Sequence, residues 1–260
     1  MNPRKLPLYC LNAFFLAYAG VLALLFGCGV PFFFLFARLF TRMRLDDAGR
    51  VLNWCFGRYM ITLAWPFIRI ERRGVENVPA GVPCVAVANH RSFSDVFFCT
   101  LIPRPNIDVV VRAWPFRIPL LGRFMKLARY LDIESTPMDR ALAFSRELAG
   151  RGVSFVFFPE GHRSRDGLLH PFRSGAFLTA IENDLPILPV CITGTEKLGG
   201  PGSILLRPTK VVVEILPPVW PREFSGAKRA LQMRRRVRAL MQQHLGEEQG
   251  KDEGEMMNDE

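Results

Sequence analysis

The 260-residue sequence has little of what metal sites, disulfide scaffolds and covalent hydrolases require. It holds four histidines and six cysteines. No CxxC pair or histidine cluster falls at metal-ligand spacing, which argues against zinc. Cys10, Cys28, Cys55, Cys84, Cys99 and Cys191 are scattered, so they read as small apolar side chains in a reducing compartment. No G-x-S-x-G elbow accompanies the polar loops, which disfavours a serine acyl-enzyme route. Charge is missing from Leu6 to Ala37, a run longer than the ~20 apolar residues that cross a bilayer.

Acidic residues are sparse in the body of the chain. The net charge is +10, yet the last fifteen residues, GEEQGKDEGEMMNDE, hold seven acids and one lysine. The remainder is therefore more basic than the total. A basic body suits nucleic acid, anionic headgroups or phosphorylated substrates. No nucleic-acid motif accompanies the charge, and an apolar N-terminus explains it better, so nucleic acid is not expected as a partner.

What is abundant is apolar: 49% hydrophobic residues and 22 phenylalanines. Gly27, Gly29 and Pro31 interrupt the N-terminal run, which predicts a kinked or hairpin arrangement over one straight helix. A cleaved signal peptide ending near Ala19 is the alternative. Cleavage there would leave VLALLFGCGVPFFFLF at the new terminus, so an anchor is favoured. Val51 to Ile70 mixes Trp54, Phe56, Tyr59, Trp65 and Phe67 with Arg58 and Arg69, as a segment in the membrane interface would.

Beyond Arg73, short apolar runs alternate with helical periods. The predicted strands are Cys84–Ala88, Ile107–Val111, Tyr130–Ile133, Ser154–Phe158, Ile187–Ile192 and Val211–Leu216. A helix with Thr136 as its cap and Pro137 in its first turn carries Met138, Ala141, Leu142, Leu148 and Ala149 at helical spacing. A second runs from Lys228 to Leu245 with Ala230, Met233, Val237, Leu240 and His244 on one face. This pattern implies an α/β fold. Three segments follow: a membrane-anchoring helical segment at 1–70, an α/β catalytic domain at 71–245, and an acidic disordered tail at 246–260.

Two strand ends empty into polar loops. PCVAVANHRSFSD leads into Asn89 and His90, with Asp95 five positions on and Ser92 or Ser94 as a helix cap. A turn before the helix would bring Asp95 onto one imidazole nitrogen, fix its tautomer and leave the other nitrogen as a base. A helix cap or a filled polar corner is the equally open structural reading of that segment. FVFFPEGHRSRDG holds Glu160, Gly161, His162, Arg163 and Arg165. Gly161 permits a tight turn, and forked guanidinium donors suit phosphate oxygens. Glu160 would repel a phosphate, so it is expected to hold an arginine or to receive a substrate hydroxyl.

These residues resemble the glycerolipid acyltransferases typified by bacterial 1-acylglycerol-3-phosphate acyltransferase. NHRSFSD matches that family's His-x4-Asp block and FPEGHRS its FPEG-x-R-S block, with looser matches at Arg112 to Gly122 (RIPLLG) and at ILPVCI. The resemblance covers about Val82 to Val219. It implies an α/β acyltransferase domain with a mixed sheet flanked by helices. His90, with Asp95, would act as general base for direct attack on an acyl thioester. The substrate-binding candidates are Glu160, Gly161, Arg163, Arg112 and Arg165, with no metal and no cofactor. The implied donor is acyl-CoA or acyl carrier protein, and the implied acceptor a lysophospholipid at a membrane, with the domain facing the cytoplasm. The sequence sets no oligomeric state. The family usually has threonine where this chain has His162, and an aspartate-arginine pair near Ile133-Glu134-Ser135. Another lyso-lipid, an amino-acid lipid or a non-catalytic lipid-binding role is the alternative.

Overall fold

The computed structural model describes residues 6–110, 114–117, 122, 125–126, 129–130, 132, 135–199 and 206–258. Among these, a six-stranded mixed sheet has the order β1-β6-β5-β2-β4-β3. The strands are β1 (Ile68–Arg73), β2 (Val85–Ala88), β3 (Ile107–Val109), β4 (Ser154–Phe157), β5 (Ile187–Thr193) and β6 (Thr209–Ile215). All pairings are parallel except β5 with β6. β2 and β4 are buried along their whole length, which is why they read as continuous apolar runs.

Period-two alternation sends these strands' side chains into two cores. Ala86, Ala88, Val156, Leu188, Val190 and Val211 share one with Ile61, Phe67, Phe98 and Ile102. Val85, Val87, Phe155, Phe157 and Ile187 share the other with Leu148, Phe177, Met233, Val237 and Met241. Those last residues belong to the helices that cover this face: α4 (Met138–Ala149), α5 (Gly175–Glu182) and α7 (Arg229–Asn258). Two four-residue helices, α3 (Asp95–Phe98) and α6 (Thr195–Leu198), sit just past strand ends.

The N-terminal run does not take the hairpin form, one of the two expected. It forms one helix, α1 (Leu6–Phe40), with Pro31 inside it. Proline removes one intrahelical hydrogen bond, whereas leaving the helix in an apolar setting would orphan several backbone groups. A stripe including Leu8, Leu11 and Phe15 packs on the sheet domain. Asn12 clips the stripe down by exchanging two hydrogen bonds with the Leu206 backbone, at 2.9 and 3.1 Å. The rest of α1 exposes Phe14, Leu16, Leu24, Phe32, Leu35 and Phe36.

Val51 to Ile70 is divided between two elements. Its first part belongs to α2 (Leu45–Leu63) and its end to β1. Leu52, Ile61 and Leu63 are buried, so α2 packs on the body while Phe26 of α1 stacks on Tyr59 at 5.1 Å. The boundary expected at residue 70 runs through β1. The acidic tail is helical as far as Asn258, since glutamate, glutamine, lysine and methionine favour helix and no proline intervenes. The strand expected at Tyr130–Ile133 lies partly outside the described residues, and Tyr130 is not in a strand. The α4 cap is Pro137 rather than Thr136.

A lattice of ion pairs fastens α2 to the body. Arg50, with a fully buried side chain, contacts Asp46 at 3.4 Å and Asp47 more closely, and donates from Nε to Asn106 at 2.9 Å. Arg151 reaches both carboxylates at 2.8 and 2.6 Å. Burial would raise the Asp46 carboxyl, but the Arg151 hydrogen bond and the two arginine charges hold it far below the usual carboxylate range. Asp47 is depressed in the same way. Such depressed groups contribute stability above their unfolded values near pH 4, and that contribution is lost as the pH falls.

Asp108 of β3 behaves oppositely. It is buried, neither of its oxygens has a hydrogen-bond partner among the described residues, and it lines a cavity of about 40 Å³ with Thr136, Ser145 and Thr179. Burial pushes its carboxyl up to about 7, and Arg50 only partly opposes this. A folded value above the unfolded one means that stability is lost as pH rises from about 4 through 7.

Two outcomes follow for unfolding in denaturant. Arg50→Ala should destabilise by about 3–5 kcal/mol by stranding buried carboxylates. Asp108→Asn should gain stability relative to wild type between pH 5 and pH 8; parallel pH curves would contradict the assignment.

Candidate active site

The parallel register sets Val87 of β2 beside Phe157 of β4 and Pro189 of β5. The chain thus leaves all three strands at one edge of the sheet. His90 follows β2 by two residues, Glu160 follows β4 by three and Thr195 follows β5 by two. The Asn89 side chain continues the β2–β5 ladder, donating to Ile192 O at 2.9 Å and accepting from Ile192 N at 2.7 Å. A side-chain amide can copy a backbone pair, so the turn carrying His90 stays fixed to the sheet.

The expected His90–Asp95 pairing is present: Nδ1 lies 2.9 Å from Asp95 Oδ2. The Asp95 side chain is wholly buried, while that of His90 is 20% exposed. The backbone N–H groups of Arg91 and Ser92 both donate to the same Oδ2 at 2.7 Å. Asp95 thus closes the turn ahead of its own helix, and Ser94, expected with Ser92 as a candidate cap, stands at the N-cap without a side-chain cap bond. A carboxylate held by amides is an acceptor only, so Nδ1 carries the proton and Nε2 is left as the basic nitrogen. The imidazole lies 4.3 Å from the Phe158 ring, centroid to centroid.

Glu160 does something other than expected. Its Oε1 accepts the His90 N–H and its Oε2 the His170 N–H, both at 2.9 Å. Burial pushes its carboxyl up, and those two backbone hydrogen bonds, His170's first, oppose the rise. It holds neither an arginine nor a position open to a substrate hydroxyl. Its charge instead stitches the β2 turn to the loop after β4, as does the 2.7 Å bond from Ser164 N to His90 O. The amides of residues 90–92 are all committed to carboxylates, so none of them is free to meet a developing oxyanion.

A cleft of about 1130 Å³ opens at this edge. His90 lines it. One wall is apolar, from Trp54, Phe56, Phe97 and Val109 on α2, α3 and β3; another carries His162, Arg163, Arg165 and Arg173. Arg163, Arg165 and Arg173 are exposed and make no ion pair with the described residues. Gly161 also lines the cleft and has φ +74; a Cβ there would stand 2.7 Å from Arg173 Nε. His170 lines it too, with Nε2 3.1 Å from Asp166.

Of the residues expected from sequence, His90, Gly161, Arg163 and Arg165 line this cleft and Asp95 backs His90. Arg112 and the Ile133-Glu134 pair lie outside the described residues. Sequence reading missed Arg173, His170 and Thr195, along with the wall contributed by α2. Thr195 carries a signal, since it stands three residues past a predicted strand.

A mixed α/β sheet with a His–Asp pair on one strand end and a cationic loop on the next defines an α/β transferase site of the His-x4-Asp type. A family model described as Acyltransferase matches residues 69–193. The 1-acyl-sn-glycerol-3-phosphate acyltransferase of Salmonella typhimurium is 32% identical over 197 residues, covering 74% of this chain and 79% of that protein. The chloroplastic protein of that name from Brassica napus is 34% identical over 143 residues, 54% of this chain, which spans 41% of its length. The crystal structure of the 1-acyl-sn-glycerophosphate acyltransferase PlsC from Thermotoga maritima superposes with a TM-score of 0.71 at 27% identity, covering 95% of this chain and 98% of that one. The chain belongs to the 1-acyl-sn-glycerol-3-phosphate acyltransferase family.

Glu160→Gln replaces an acceptor oxygen with an N–H donor facing a backbone N–H. It should lower stability by about 1–3 kcal/mol, the cost of an unsatisfied buried group. Turnover should fall with it, both checked on one preparation by thermal unfolding and initial rates.

Proposed function

We propose that this chain transfers a fatty acyl group from the thioester of acyl-CoA or acyl carrier protein to the free hydroxyl of 1-acylglycerol-3-phosphate, giving phosphatidic acid. The observation that carries this reading is the cleft itself, where an apolar wall, His90 and three exposed guanidiniums share one space. A lyso-lipid phosphate offers a fatty chain, a hydroxyl and an anion. A neutral acceptor would leave Arg163, Arg165 and Arg173 without a counter-charge.

His90 Nε2 takes the proton from the acceptor hydroxyl as its oxygen attacks the thioester carbonyl carbon. Asp95 stabilises the imidazolium that forms. The tetrahedral intermediate then collapses, the carbon–sulfur bond breaks, and the proton on His90 passes to the departing thiolate. Arg163 and its neighbours hold the phosphate, which places the hydroxyl at the base and makes attack effectively intramolecular.

The exposed apolar face of α1 supports attachment to a membrane. This helix is long and apolar enough to cross one, and its buried stripe already rests on the sheet domain and α2. In this reading its outer face sits in lipid on the cytoplasmic side, beside the cleft wall formed by α2, where the acceptor and product reside.

His90→Ala should abolish turnover while thermal unfolding stays near wild type; retained activity would sink the assignment. Arg163→Ala should raise KM for the phosphorylated acceptor by about tenfold, the loss of roughly one charge-assisted contact. An equal effect on a neutral lyso-acceptor would contradict the phosphate role.

A further inference from the structure

Asp95 has two carboxylate oxygens, and the His–Asp pairing concerns only one of them. Oδ2 receives the imidazole and two backbone N–H groups. Oδ1 receives the hydroxyl of Thr195 at 2.5 Å, from a residue 100 positions along the chain. Thr195 is 1% exposed and is not among the residues lining the cleft, so it does not meet substrate.

The backbone before Thr195 is built to deliver that hydroxyl. Gly194 has φ +88, and a Cβ there would lie 2.0 Å from Lys210 O. Only glycine fits, and the turn carries the chain from the end of β5 into α6 with Thr195 as its first residue. β5 is itself locked to the His90 turn by the Asn89–Ile192 pair. The threonine and the histidine are thus held by adjacent strands, and the carboxylate is gripped between them.

We propose that Thr195 is a positioning residue for catalysis, acting through Asp95. Its short hydrogen bond sets the rotation of the carboxylate so that Oδ2 faces His90 Nδ1. It also withdraws negative charge from Oδ2, which tempers the basicity of His90. The proposal rests on the reading of His90 as the base.

The test compares Thr195→Val with Thr195→Ser in the full-length enzyme, using an acyl thioester and lysophosphatidate. Valine keeps the shape without the hydroxyl. It should lower kcat about tenfold, leave KM for the acceptor within about twofold, and move the acid limb of the kcat pH profile to higher pH. Serine should restore both kcat and profile. On an Asp95→Asn background, Thr195→Val should cost nothing further, because the two act as one unit. Thr195→Ala serves the same purpose should the valine variant not fold. Wild-type kcat and profile in Thr195→Val would overturn the proposal. So would a loss of activity that serine does not rescue, or one that leaves the pH profile unmoved. Activity retained by His90→Ala would instead overturn the reading beneath it.

Discussion

The site depends on a buried carboxylate that is fully used. An ionised aspartate out of contact with water is costly unless its oxygens are met by donors. Asp95 meets that demand with four: an imidazole, two backbone amides and a hydroxyl from the turn after the neighbouring strand β5. Satisfying one charge therefore fixes the turn after β2, the start of α3 and the turn after β5 together. Glu160 repeats the device one strand over, drawing the cationic loop onto His90 through two more amides. The two motif blocks of the sequence, NHRSFSD and FPEGHRS, are in space one hydrogen-bonded unit.

The cleft adds a second constraint. Its apolar wall belongs to α2, which is held at its N-terminal end by Asp46, Asp47 and Arg50 against Arg151 and Asn106. The same helix packs on α1 through Phe56 and Tyr59. α1, with its exposed apolar face, and α2, which lines the cleft, are therefore neighbours, as the proposed transfer to a membrane lipid would require. Gly57 permits this closeness on the other side, since a Cβ there would stand 2.4 Å from Thr100 Cγ2.

Much of this was legible because burial leaves a signature. β2, β4 and β5 are covered on both faces and show as apolar runs; β3 and β6 were found within a residue or two of their ends. β1, with the sequence IRIERR, was missed: it sits at the sheet edge, carries four charges in six residues, and follows an aromatic stretch that resembled an interface. The His90–Asp95 pairing was readable as a motif, but not its dependence on Thr195, because no local spacing announces a contact across 100 residues. Glu160 was read as a substrate contact because sequence does not distinguish a carboxylate facing a cleft from one turned inward onto amides. The continuity of α1 through Pro31 is no more legible, since a proline costs a helix about one hydrogen bond and sequence does not show whether the helix absorbs it.

In the proposed reaction a base on the β2 turn and cations on the β4 loop join one thioester and one phosphorylated acceptor directly, with no acyl-enzyme. The decisive measurement follows thiol release and lipid products together, by thiol titration and mass spectrometry, with labelled acyl thioester supplied with and without lysophosphatidate. The account predicts thiol and phosphatidic acid appearing in equal amounts, only when acceptor is present, with no label left on the protein. Thiol released without acceptor, or an acylated enzyme trapped in its absence, would contradict it.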